Sequence, residues 1–153
     1  NYFPMRTHYL GHIVFYVRDL DASLNFYEEL LGLRRIEGSN LPFKAAALTS
    51  GRTHHELLLI EVGDAPGPQP GPRRGFYHAG FKIGDSLDEL RKAYDELQSA
   101  GVQVKGLSDH TVTKSLYLYD PDGNEIELYV DDPDVDWEDD PAAVLSPIKP
   151  LDL

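Results

Sequence analysis

The chain contains no cysteine in its 153 residues, which excludes disulfides and thiolate metal sites. Basic residues are few, 14 against 26 acidic ones, for a formal charge of −12. That balance weighs against nucleic acid and anionic membranes as main partners. Much of the acidity lies between Asp131 and Asp140, so it describes the end of the chain more than a pocket. No apolar run reaches membrane-spanning length, and Asn1 to Gly11 has no signal-peptide pattern, so a cytoplasmic location is the default expectation. The first residue is Asn rather than Met, which reads as a trimmed or tagged start. Hydrophobic residues make up 41% of the sequence, too many for a wholly disordered chain. One domain over 1–153, large enough for a real core, is therefore expected.

Taken in order, Gly11 to Arg18 alternates as a strand, with Ile13, Phe15 and Val17 opposite His12, Val14 and Tyr16. Asp19 or Asp21 can cap a helix over Ala22–Leu31, whose stripe is Leu24, Tyr27 and Leu31 and whose stop is Gly32. Short strands are expected between Arg34 and Ser50, and another over His54–Val62, apolar enough to be covered on both faces. Residues 63–75, rich in Pro and Gly, read as a linker. Phe76–Ile83 is a strand. A helix capped by Asp85 or Ser86 then runs to about Ala100, and a short strand is expected over Val102–Val104. The segment from 131 to 153 is expected to be an extended tail that docks through Trp137, Val144 and Ile148.

The stretch from His110 to Glu127 organises the rest. Asp120 to Asn124 (DPDGN) is a hairpin turn in which Pro sets φ and Gly supplies a positive φ. Alternation puts Ile126, Leu128 and Val130 on one face and Glu125, Glu127 and Tyr129 on the other, so Tyr117 and Glu127 share a polar-lined face. That face is either a solvated outer surface or the wall of a site for a ligand, a metal or chemistry.

The chain also repeats. Laying His12 on His78 aligns Phe15 with Phe81, Val17 with Ile83, Asp19 with Asp85 and Leu24 with Leu90. Each half is a βαβββ unit, module 1 over about 9–62 and module 2 over about 76–130. A helix covers one face of each sheet, so the other faces must cover each other or enclose something. His12 and His78 fall at matching places on the uncovered faces, and Glu127 lies there too. Matching Leu59–Val62 to Glu127–Val130 puts Leu59 at the counterpart of Glu127, and the same parity puts His55 on the uncovered face. Two histidines and a carboxylate suit Fe(II), Mn(II) or another borderline divalent ion, and three protein ligands also hold catalytic zinc. Residue by residue the ordinary alternative stands: a strand histidine as a hydrogen-bonded core residue, a strand glutamate facing water.

This pattern resembles the vicinal oxygen chelate superfamily over about Leu10 to Val130. The stretch His110-x5-Leu116-Tyr117-x2-Asp120-Pro121-x-Gly123-x3-Glu127 is similar to the signature of extradiol ring-cleavage dioxygenases. Ser108 departs from it, standing where Gly, Asn, Thr or an aliphatic is usual. The resemblance implies an α+β fold in which two paired βαβββ modules form a cupped mixed sheet around a metal. It implies His12, His78 and Glu127 as ligands of Fe(II), with Mn(II) the alternative. It implies His55 as an acid/base, His110 as a further pocket histidine and Tyr117 as a donor to the substrate oxygen. The expected reactants are a small catechol-type diol and O2, and copies of the chain are expected to associate. Glyoxalase I relatives use a fourth ligand, for which Leu59 offers no donor. Fosfomycin-modifying transferases share a three-ligand set, and drug-sequestering relatives lack the metal. The usual extradiol enzyme has two such domains, so this chain resembles the one-domain type.

Overall fold

The computed structural model describes residues 4–153. The fold is mixed α+β and contains two four-stranded mixed sheets, as expected in class. The chain divides into two compact units, one ending at Gly67 and one running from Pro68 to Leu153. The division falls inside the Pro- and Gly-rich segment, where prolines at alternate positions, Pro66, Pro68, Pro70 and Pro72, deny the backbone the donors a sheet or helix needs.

The first unit holds β1 (Ile13–Val17), β2 (Arg34–Arg35), β3 (Ala45–Thr49) and β4 (Leu57–Glu61), ordered β1-β4-β3-β2. β1 runs parallel to β4, and the other pairs are antiparallel. The helix α1 (Leu20–Leu24) begins at Asp19, whose carboxylate accepts the N–H groups of Asp21 and Ala22. It widens into a π-helical turn over Asn25–Leu30 rather than running regularly to Leu31. Leu31 N–H accordingly reaches Phe26 O, five residues back. The wider turn lets the consecutive Phe26 and Tyr27 both enter the core, with Leu33 rather than Leu31 completing it.

The second unit repeats the plan with β5 (His78–Gly84), α2 (Leu87–Ser99), β6 (Gly106–Asp109), β7 (Thr113–Tyr119) and β8 (Glu125–Asp131), ordered β5-β8-β7-β6. Ser86 caps α2 by accepting Glu89 N–H, and its hydroxyl bonds the Glu89 carboxylate. Leu90, Leu116, Leu118 and Ile126 are fully buried between α2 and the sheet. Their alternation leaves Ser115, Tyr117, Glu125 and Glu127 on the other face, as the sequence predicts. At the hairpin, buried Asp120 accepts the N–H groups of Asp122 and Asn124, and Gly123 takes φ +85°.

Three further expectations are corrected. No strand forms at Val102–Val104, because Val102 N–H is spent on Leu97 O at the end of α2; pairing starts when Lys105 N–H reaches Tyr117 O. The tail does not dock through Trp137, Val144 and Ile148, which are exposed. Its anchors are Ala143, which is buried, and a backbone bridge in which Asp109 and Lys149 each donate to the other at 2.9 Å. The third correction is the parity of β4. Phe15 pairs with Leu59, and both face the core, so Leu59 is not on the uncovered face. In the second unit Gly80 pairs with Glu127, whereas in the first Val14 pairs with Leu58. Leu58, not Leu59, is therefore the counterpart of Glu127.

Candidate functional site

In the second unit, β5 and β8 run side by side with His78 opposite Glu125 and Gly80 opposite Glu127. His78 Nδ1 lies 2.9 Å from Glu125 Oε2, and its Nε2 lies 3.3 Å from Glu127 Oε1. Glu125 has only acceptor oxygens when ionised, so Nδ1 carries the hydrogen and donates it. In the neutral ring, Nε2 is then a lone pair facing a second lone pair. Two acceptors at this distance need a proton or a cation between them. Two donor atoms each about 2.1 Å from one metal ion stand roughly 3.0–3.4 Å apart at octahedral or tetrahedral angles, so the pair fits adjacent ligand positions. A histidine whose other nitrogen is fixed by a carboxylate is the arrangement that orients a metal-binding imidazole.

The second oxygen of Glu127 is bound from β7. Ser115 Oγ donates to Oε2 at 2.6 Å and Tyr117 OH donates to it at 3.2 Å. Since that donation uses the only hydroxyl hydrogen of Tyr117, His110 Nε2, 2.6 Å away, is the donor to the phenolic oxygen. Burial, and next the charge of Glu127, push the Tyr117 hydroxyl above its ordinary pKa, so it stays protonated as a donor at neutral pH. Gly80 makes room for this carboxylate: a Cβ there would lie 3.2 Å from Glu127 Oε1, a tight contact that would require the carboxylate to shift.

His110 sits in the turn between β6 and β7. Thr111, next to it, has φ +72°, an unfavourable conformation for a β-branched residue. Four side-chain contacts hold that turn. Thr111 N–H donates to Asp109 Oδ1 at 2.8 Å, and Lys114 Nζ donates to Thr111 O at 3.1 Å. The same ammonium group bridges Asp109 at 3.0 Å and Asp132 at 2.8 Å.

In the first unit, His12 precedes β1, and its ring lies 4.4 Å from that of His55, tilted by 32°. His55 is half-buried in the turn before β4, and His54 is exposed with its Nδ1 2.6 Å from His55 Nδ1. His55 thus packs on His12 from a turn and not through strand parity. Desolvation, then the proximity of His12 and His54, lower the His55 pKa and favour a neutral imidazole at pH 7.

Among the described residues, no group of three or more His, Cys, Asp or Glu side chains is arranged to hold a metal ion. Of the six candidates, His78, Glu127, His110 and Tyr117 come together within the second unit, while His12 and His55 adjoin within the first. Glu125, Ser115 and Gly80 were not among the sequence candidates. Glu125 was detectable, being two residues from Glu127 on the same face; Ser115 stands likewise two residues from Tyr117 but is an unremarkable residue for a strand, and Gly80 carries no such signal.

A family model described as the Glyoxalase/Bleomycin resistance protein/Dioxygenase superfamily matches residues 9–128. The chain is 32% identical to biphenyl-2,3-diol 1,2-dioxygenase 2 of Rhodococcus globerulus, over 79% of this chain and 62% of that protein. It is 34% identical to catechol-2,3-dioxygenase of Bacillus subtilis, over 88% of this chain and 45% of that protein. The chain thus spans less than two thirds of either relative. A metallothiol transferase, FosB of Lysinibacillus sphaericus, is 30% identical over 82% of this chain and 84% of its own length. In fold, the chain is similar to a glyoxalase/dioxygenase from Nostoc punctiforme, with a TM-score of 0.69 at 24% identity, covering 86% of this chain and 96% of that one.

Proposed function

The chain belongs to the glyoxalase/bleomycin resistance/dioxygenase superfamily, and from that premise we propose that it is the metal-binding domain of an extradiol dioxygenase that opens the ring of a catechol-type diol. The observation that carries this reading is the His78–Glu127 pair, with His78 fixed by Glu125 and Glu127 flanked by Tyr117 and His110. His78 and Glu127 are the ligands it assigns within the second unit. His12 is assigned as the third ligand on the sequence resemblance.

Bound Fe(II), or Mn(II), would supply acidification of a diol hydroxyl and a shared binding place for diol and O2. The chain's own residues supply the rest. Glu125 keeps the Nε2 lone pair of His78 pointing toward Glu127. His110 and Tyr117 form a donor chain whose phenolic hydrogen can turn from Glu127 to a substrate oxygen. His55, kept neutral near pH 7, is suited to accept and return a proton.

The test is anaerobic loading with Fe(II), then 2,3-dihydroxybiphenyl and simple catechols in air. Yellow ring-opened product with matching oxygen uptake is expected. Iron-loaded protein that consumes no oxygen with any of these diols would refute the proposed reaction. A second reading, a metal-dependent thiol transferase, draws on the near full-length match to the FosB relative. It requires a thiol and an electrophilic acceptor to be consumed together in the presence of Mn(II), without oxygen uptake.

A further inference from the structure

We propose that Ser115 is a positioning residue that holds Glu127 as a one-oxygen donor, with Gly80 leaving the space in which that oxygen lies. The proposal rests on the assignment of Glu127 as a metal ligand. Ser115 is fully buried on β7, on the same face as Glu127. A buried hydroxyl needs a partner, and this one has a charged acceptor at 2.6 Å. Tyr117 donates to the same oxygen at 3.2 Å. Two donors converge on Oε2, while Oε1 faces His78 Nε2 at 3.3 Å. The carboxylate is thereby fixed about its last torsion, with one oxygen committed to hydrogen bonds and the other turned toward the imidazole.

The two β7 donors are not equivalent. Tyr117 also bonds His110 and is the group whose hydroxyl the proposed reaction requires elsewhere. When Tyr117 turns to substrate, Ser115 is the donor left to hold Oε2. Opposite it, Gly80 sits where any side chain would press on Oε1, its added Cβ standing only 3.2 Å from that atom. Without the Ser115 hydroxyl, the carboxylate can rotate and offer both oxygens to a cation, or neither well.

The test uses the full chain and Co(II) as a spectroscopic probe. Ser115→Ala is compared with Ser115→Thr, which keeps a hydroxyl, and with Leu118→Ala, a buried change on the opposite face of the same strand. Affinity is read by titration and coordination by the visible Co(II) absorption, alongside thermal melting. Ser115→Ala is expected to weaken Co(II) binding about 10–100-fold, the usual effect of removing a partner that orients a ligand, and to change the absorption. Leu118→Ala is expected to lower Tm and leave both metal readouts unchanged, and Ser115→Thr to restore binding at least in part. Wild-type affinity and spectrum in Ser115→Ala would overturn the role of Ser115 while leaving the metal site standing. Failure of the wild-type chain to bind Co(II) at all would overturn the metal assignment and this role together.

Discussion

Replacing Lys114 with Met keeps most of the apolar stem and removes the ammonium group that ties β7 to its neighbours. The wild-type group uses its three hydrogens on Asp109 at 3.0 Å, Asp132 at 2.8 Å and Thr111 O at 3.1 Å. All three charged side chains are largely but not fully buried: Lys114 is 17% exposed, Asp109 21% and Asp132 22%. Charge-assisted bonds contribute about 1.5–3 kcal/mol each when buried, so with partial screening the set is expected to contribute roughly 3 kcal/mol in total. Met also leaves two carboxylates without their shared cation. For a chain of this length, that loss corresponds to a fall in Tm of about 6–12 °C.

The pH dependence has a definite sign. Burial pushes Asp109 up, but Thr111 N–H and Lys114 outweigh it, and Lys114 with Asp134 N–H draws Asp132 down. Both folded values lie below the ordinary 3.8. Their contribution is therefore complete above that value and is lost as pH falls through the depressed folded values. Circular-dichroism melts should show the widest gap between wild type and Lys114→Met near neutral pH, narrowing in acid below about pH 4. A Tm within about 2 °C of wild type at pH 7 would refute the clamp, because the magnitude above leaves no room for so small a change. A gap that persists unchanged in acid would show that lost packing, not charge, is responsible.

Three further outcomes are expected. Glu127→Ala should abolish stoichiometric metal uptake, measured by elemental analysis after desalting; full retention would remove Glu127 from the ligand set. Glu125→Ala should weaken metal binding about 10–100-fold by freeing the His78 ring, and wild-type affinity on titration would show that the ring is fixed by other means. His55→Phe should keep iron and lose ring-cleavage turnover, and near-normal oxygen uptake by an iron-loaded variant would remove His55 from the reaction.

The second unit was more legible in the sequence than the first, for a physical reason. In β7 and β8 polar and apolar residues alternate, so the face shared by Tyr117 and Glu127 follows directly from parity. β4 reads Leu-Leu-Leu-Ile, which has no alternation to fix its phase. The end of β4 therefore matches the end of β8 only by position, and β5 has a register shift between Lys82 and Gly84 that β1 lacks. The extra residue displaced the match by one and set Leu59 in the place of Leu58. His55 was brought to His12 by a turn, whose path strand parity does not describe. Ser115 and Gly80 escaped because a serine and a glycine in a strand are ordinary until the carboxylate between them is located.

The bridge between Asp109 and Lys149 also covers part of one edge of the second sheet. β6 ends its sheet, and an outermost strand offers unpaired N–H and C=O groups to any other extended segment. Here the chain's own tail already occupies that place at Asp109, through both backbone bonds of the pair. Growth of the sheet by strand addition along β6 must first peel this segment away. The same residue anchors the Lys114 clamp, so such displacement disturbs the turn that carries His110. Loss of solubility and loss of site geometry would then begin at one point.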